Sequence, residues 1–269
     1  MIASLLQNEL QKIIPKEEKT VALLLSGGVD SISAGFSLDA IGKRVHAYSF
    51  QLDDTPTSDT QKAEEVSRIR GWQFTLVKIP TKNLEKDFLK LIQLGCTLKT
   101  RVEATYPFLY LIPVIKEKYI VSALIADHYY GLTKRVILHF KYPKSEFDYV
   151  RNHAVKHYLK HKDFPQMMAQ QAGKVMIDPY LCQEVLDYFL QFDWDEVNKP
   201  FQKHHVVRDY DADFQNVNIF KGNHQDYKVV SGISKLFEEK LLKSTLNFKH
   251  RIRILDLIRD YAKLRTQSR

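Results

Sequence analysis

The 269-residue sequence is short of cysteine, glycine, proline and long apolar runs, and each shortage excludes something. There are two cysteines, Cys96 and Cys182, far apart and outside any CxxC pair, which argues against a disulfide framework or a cysteine-rich zinc site. No apolar run approaches the roughly 20 residues that cross a bilayer; the longest, 106–114, is short and holds two prolines. The opening residues lack the basic flank and long apolar core of a signal peptide, so the expectation is a cytoplasmic protein with no membrane partner. Ten glycines and nine prolines exclude low-complexity chain, and no internal repeat is visible. There is neither a GxxxxGK[ST] lysine loop nor a GxGxxG dinucleotide fingerprint.

What is present is an ordinary globular composition, 44% hydrophobic and 27% charged, with a formal charge of +8. The basic excess suits phosphates of a nucleotide, pyrophosphate or nucleic acid, and equally a solvated basic helical surface. Length allows one elaborated domain or two small ones.

Strand and helix patterns alternate through the first half. Residues 21–25 form a wholly apolar strand, followed by a glycine turn and a helix over 31–41 that Gly42 stops. A second strand over 45–50 leads to a helix over 58–70 with a Ser-Asp start, ended by Gly71. A third strand over 73–79 closes at Pro80, and a helix over 105–118 feeds a fourth buried strand over 119–124. This alternation predicts an α/β fold with a parallel, twisted sheet flanked by helices. Beyond about residue 145 the chain turns aromatic, His- and Lys-rich and helical in period, best over 182–192 and 236–264. The expected division is 1–145, an α/β nucleotide domain, and 146–269, a helical C-terminal extension that completes the active site. In open parallel sheets ligands bind at the carboxyl ends of the strands, so the loops after Leu25, Phe50 and Leu124 are expected to converge.

The segment Ser26-Gly27-Gly28-Val29-Asp30-Ser31 follows a strand and opens a helix. Two glycines let the backbone approach an anion closely. The helix start offers unpaired N–H groups and the positive dipole end. Ser26 and Ser31 add hydroxyls, and Asp30 tolerates phosphate only with a cation between them, which points to Mg2+. A bare Gly-Gly would be no more than a tight turn; here strand, serines, aspartate and helix agree.

Leu24-Leu25-Ser26-Gly27-Gly28-Val29-Asp30-Ser31 resembles the SGGxDS signature of the N-type ATP pyrophosphatases, the PP-loop family. That resemblance implies an adenine nucleotide alpha-hydrolase-like fold and cleavage of ATP to AMP and pyrophosphate with Mg2+. Further stretches are similar to the synthetase domain of asparagine synthetases. Ser49-Phe50, followed by Ser58-Asp59 and Ala63, looks like that family's second strand and helix, where the strand end contacts adenine through its backbone. Val121-Ser122-Ala123-Leu124-Ile125-Ala126-Asp127, before Tyr130-Gly131, looks like the family's second loop, which makes Asp127 the implied second magnesium ligand beside Asp30. Asp178-Pro179-Tyr180-Leu181 and Lys199-Pro200-Phe201-Gln202-Lys203 resemble its helical half, in which a lysine, here Lys203, reaches the pyrophosphate. The implied catalytic residues are Asp30, Asp127 and Lys203; Leu24, Leu25, Ser26, Gly27, Gly28, Asp30, Ser31, Ser49, Phe50, Ser122 and Lys203 are the implied ATP and pyrophosphate contacts.

The departures shape the expected reaction. Leu124 stands where the family places a glutamate that handles the proton of the incoming amine, leaving His128 or Glu103 as alternatives. Ala123 replaces a glycine. No glutaminase domain precedes the loop, and Ile2 lies where its nucleophilic cysteine would be, so the expectation is an acceptor-adenylating ligase using ammonia or an amine, with a separate ammonia-supplying glutaminase as a candidate partner. The rivals are a PP-loop enzyme acting on a nucleobase in tRNA or DNA and a catalytically silent nucleotide-binding protein.

Other constellations carry less. His204 and His205 are adjacent and diverge on a helix. His153, His157 and His161 share a helix face without a carboxylate partner, and read as an exposed stripe. Lys99, Arg101 and Glu103 are candidates for bordering the acceptor pocket, Arg208 for a second pyrophosphate contact. Residues 223–227 and 231–233 are a lid or an ordinary loop.

Overall fold

The structure is a computed structural model, and it describes residues 1–96, 99–132, 143–160, 163–217, 230–237 and 239. The side chains of Lys99 and Thr100, residues 223–227, His161 and nearly all of the expected 236–264 helix lie outside the described residues.

The chain opens with α1 (Ile2–Ile13), then β1 (Thr20–Leu24), α2 (Val29–Ala40), β2 (Arg44–Leu52), α3 (Ser58–Arg70) and β3 (Gln73–Ile79). Next come α4 (Leu84–Gln93), α5 (Lys99–Thr105), α6 (Phe108–Val114), β4 (Tyr119–Val121) and α7 (Asp127–Tyr130). The second half holds α8 (Lys144–Lys160), α9 (Phe164–Gln171), β5 (Val175–Ile177), α10 (Gln183–Phe189), α11 (Trp194–Asn198), α12 (His204–Asp209), α13 (Asp211–Asn216) and α14 (Ile233–Leu236).

The sheet order is β3-β2-β1-β4-β5, with every pairing parallel. β1 is apolar throughout its centre because both faces are covered: Val21 and Leu23 enter one core, and Ala22 enters the other. On the first face lie α1, α2, α3 and α10 to α13; α6 and α9 cover the second, and α14 packs with α4 and α5 in a third cluster that includes Leu52 and Ile79. Helix α2 sits so close to the sheet that a Cβ on Gly35 would come within 2.3 Å of the Trp72 ring. The amphipathic α1 buries Ile2, Leu6 and Leu10, one residue per turn, against this layer.

The expected α/β sheet is present, with several boundaries moved. α3 and β3 lie where the pattern put them; the α3 cap, however, is Thr57, whose hydroxyl accepts from Thr60 N at 3.1 Å in a reciprocal capping box. β2 runs on to Leu52 rather than ending at Phe50. Of the expected 105–118 helix only α6 and Thr105, the last residue of α5, are helical, because Pro107 removes an amide and disfavours a helical residue before it; Pro113 stands in the last turn of α6, which ends at Val114. The fourth strand stops at Val121, and Leu124, 38% exposed, lies in a bend instead. The second half is not wholly helical: β5, beyond residue 145, extends the sheet through β4.

Candidate active site

The glycine loop lies where the pattern put it, between β1 and α2 at the carboxyl edge of the sheet. Gly27 has φ +77°, and a Cβ there would meet the Asp59 carbonyl oxygen of α3 at 2.5 Å, so only glycine fits. Ser31 Oγ donates to Gly28 O at 3.0 Å and accepts from Ser26 N at 3.2 Å, while Ser26 Oγ accepts from Gly28 N at 3.3 Å. The two serines thus brace the loop from inside, with Ser26 and Gly28 open to solvent. Gly28, as N-cap of α2, has no side chain to take up the first amides, which leaves an anion-ready helix start.

Around this loop the sheet splits. Leu25 N still donates to Tyr48 O at 2.9 Å, after which β1 turns away. Phe50, two residues further along β2, directs its backbone groups to the same side as Tyr48, towards the space β1 has left. Ser49 is buried and in register with Leu76 of β3, so its backbone points the other way. Leu24 and Leu25 contribute chain direction rather than chemistry: Leu25 is in the core.

The second loop is fixed by four straps. Asp178 accepts from Ile125 N at 2.9 Å and from Tyr180 N at 3.0 Å. Arg151 Nε donates to Tyr129 O at 2.9 Å, and Asn198 Nδ2 to Tyr130 O at 2.8 Å. Tyr129 Oη donates to Tyr180 O at 2.6 Å. These contacts hold α7 and with it Asp127. Ser122 is buried, with its amide on Ile177 O at 2.8 Å, so it continues the β4–β5 ladder beneath the loop. Burial drives the Asp178 carboxyl up to about 7, against the two amides that favour its charged form. Burial likewise lowers Arg151 to about 10, with Asp148 opposing. Arg151 is wholly enclosed and also donates to Phe189 O at 2.8 Å and Phe192 O at 2.7 Å.

The helical half supplies the third element. Lys203 is the N-cap of α12 in a left-handed conformation, φ 64°, and is 8% exposed. Its Nζ lies 2.5 Å from Asp30 Oδ2 and 2.6 Å from Asp127 Oδ1, with the Tyr130 ring centroid 5.2 Å away. Burial alone would lower the lysine's pKa; the two carboxylates outweigh it and hold the ammonium above its ordinary range. Asp30, Asp127 and Lys203, separated by up to 173 positions, therefore meet at one point beside the glycine loop.

That meeting point fits a divalent cation. Asp30 Oδ2 and Asp127 Oδ1 converge on one nitrogen at 2.5 and 2.6 Å, and a pair of carboxylate oxygens is the hard donor set that Mg2+ takes. Among the described residues the other cluster with metal-ligand chemistry is Glu9, Cys182 and Glu184, on the α1–α10 side, where Lys12 already bridges the two glutamates.

The remaining expected residues scatter. His128 adjoins Asp127, and its pKa is lowered, by burial first, with Asp127 opposing. Glu103 is buried, whereas Arg101 is exposed with its guanidinium 5.9 Å from the Phe164 ring. Arg208 is exposed in the last turn of α12. His205 belongs to the core, accepting at Nδ1 from Tyr188 Oη at 3.2 Å and donating from Nε2 to Glu196 O at 2.9 Å. His153 and His157 are exposed on α8. Sequence reasoning missed Tyr130 and Arg151. An arginine in mid-helix reads as surface, and nothing local marks it as a guanidinium that caps three carbonyls.

Comparison with known proteins agrees with the loop. Residues 2–127 match the family model described as asparagine synthase. No curated protein matches the chain. Among solved structures the chain is similar to the predicted subunit of a tRNA methyltransferase from Methanocaldococcus jannaschii, at 15% identity over 71% of this chain and 88% of that one, with a TM-score of 0.34. No helix among the described residues is long and apolar enough to cross a membrane. Over residues 2–127, then, a little under half of its length, the chain is similar to the asparagine synthase family.

Proposed function

We propose that the protein adenylates a small carboxylate acceptor with ATP and passes the activated acyl group to ammonia or an amine. The observation that carries this reading is the convergence of Lys203 with Asp30 and Asp127 beside an open helix start. A polyphosphate lying on the amides of the first turn of α2 would face a buried ammonium that is bonded to both carboxylates. Magnesium held by Asp30 and Asp127 would shield the phosphate charge from those carboxylates.

In the first step an acceptor oxygen bonds to the α-phosphorus, the bond to the β-phosphate bridging oxygen breaks, and pyrophosphate leaves. Lys203 stabilises the charge that grows on this leaving group, an interaction stronger in the transition state than in the ground state. In the second step the amine nitrogen bonds to the acyl carbon, AMP departs and the nitrogen sheds a proton. Leu124 cannot take it. His128, adjoining Asp127 and kept neutral at physiological pH by its burial, is the nearest base on the same loop. The fixed straps on α7 serve alignment, the main task in a reaction of this kind.

The test is pyrophosphate release from Mg-ATP across a panel of amino acids and other carboxylates with ammonia, with tRNA and DNA as parallel arms. Stimulation by one carboxylate with ammonia supports the proposal. Stimulation by one nucleic acid that survives a salt rise from about 50 to 200 mM replaces it with base modification.

A further inference from the structure

We infer that Lys203 is an internal counter-cation that keeps divalent metal off Asp30 and Asp127 until nucleotide phosphates draw its ammonium away. This rests on the assignment of the loop to ATP, and adds an order of binding to it.

Two carboxylates facing one point would repel each other, and the Asp30 side chain is only 10% exposed, so solvent screens it little. The Lys203 ammonium, also 10% exposed, bonds to both and cancels one of the two negative charges. A metal ion arriving alone must either displace this ammonium or sit beside it. Displacement leaves a buried lysine without a partner, and coexistence sets two charges against one at close range.

The lysine backbone cannot move aside. Its carbonyl, at a residue with a left-handed φ of 64°, is tied into the first turn of α12 by Val206 N and Val207 N, which donate to Lys203 O at 3.1 and 3.2 Å. The flexible stem can pivot, however, and the Tyr130 face lies beside the ammonium. The one nearby place with a greater claim on a cation is the loop itself, once a polyphosphate occupies the open α2 start two residues from Asp30. Phosphates would then take the ammonium and bring the metal as their own counter-ion in one event. Tyr130 and the fixed backbone make Lys203 a positioned exchanger rather than a surface lysine that happens to face an acid.

The experiment measures Mn2+ bound to the full chain by the loss of its free electron paramagnetic resonance signal. Wild type, Lys203→Met and the double variant Lys203→Met/Asp127→Asn are compared with and without α,β-methylene-ATP. The expected result is weak nucleotide-free binding by wild type and a gain of about tenfold or more in Lys203→Met, lost again in the double variant. Lys203→Gln, which keeps N–H donors without the charge, gives the same comparison if the methionine variant does not fold. Equal nucleotide-free Mn2+ affinity in wild type and the lysine variants, with Mn-nucleotide binding intact, overturns the exchange and leaves the ATP assignment standing. Failure of wild type to bind the nucleotide analogue with Mn2+ overturns both.

Discussion

Replacing Asp178 by asparagine separates the part this carboxyl plays in stability from its part in the reaction. Its two oxygens accept from Ile125 N at 2.9 Å and Tyr180 N at 3.0 Å, and it is 8% exposed. Burial lifts its pKa from 3.8 to about 7. A carboxyl whose folded pKa is raised binds its proton more tightly in the native state. Its contribution is therefore complete below the unfolded pKa and is lost as pH rises through the folded one. Between pH 5 and pH 8 that loss is roughly 2–3 kcal/mol, at 1.36 kcal/mol per unit. Asparagine does not titrate, so urea unfolding at the two pH values should show the variant gaining by about this amount relative to wild type. Yet its amide offers one acceptor where two amides point, and a buried N–H left unpaired beside Asp127 costs about 1–3 kcal/mol locally. Turnover at pH 8 should therefore fall although relative stability rises. Parallel pH–stability curves for the two proteins would refute the raised pKa, and unchanged turnover would refute the role of the strap.

Asp30→Asn and Asp127→Asn should each abolish pyrophosphate release while circular dichroism stays native; near-wild-type turnover in both would remove the metal assignment. Lys203→Ala should lower kcat more than it raises KM for ATP, because its contact strengthens as charge builds on the leaving group; an effect confined to KM would contradict that. The same variant strands a buried Asp30 and should cost on the order of 3–5 kcal/mol in urea unfolding. Gly27→Ala combines a φ of +77° with a 2.5 Å clash against Asp59 O, and should lose nucleotide binding measured by calorimetry, with Gly28→Ala, whose nearest neighbour is Ser26 Oγ at 3.4 Å, much milder.

Much of this architecture was legible because the relevant signals are local. The run Val21-Ala22-Leu23 declares a strand buried on both faces, and the two glycines with flanking serines declare the turn that follows. What stayed hidden depends on distant partners. Three-residue strands such as β5 have no periodicity to read, and β5 exists because β4 offers an open edge. Leu124 extends an apolar run and so looked like strand; Asp178, 54 positions on, bends the chain there through Ile125. Arg151 and Asn198 look like surface residues until Tyr129 and Tyr130 present their carbonyls. α1 is legible locally too: Ile2, Leu6 and Leu10 recur once per turn, the spacing of an amphipathic helix face.

The site residues divide in the same way. Asp30 was readable from its loop, whereas Asp127 and Lys203 entered by resemblance, and spacing alone could not have joined residues 76 positions apart. Their ion pairs show that the three side chains lie together in this chain.

Which phosphate bond breaks distinguishes adenylation from every other use of ATP at this site. Incubating the protein with Mg-ATP, ammonia and a panel of acceptors labelled with 18O in the carboxylate, and following products by 31P nuclear magnetic resonance, tests it directly. Adenylation of the acceptor yields AMP and pyrophosphate in equal amounts, with one 18O carried from the acceptor to the AMP phosphorus. ADP and inorganic phosphate as products, or AMP whose new oxygen comes from water while the acceptor is converted, would contradict it.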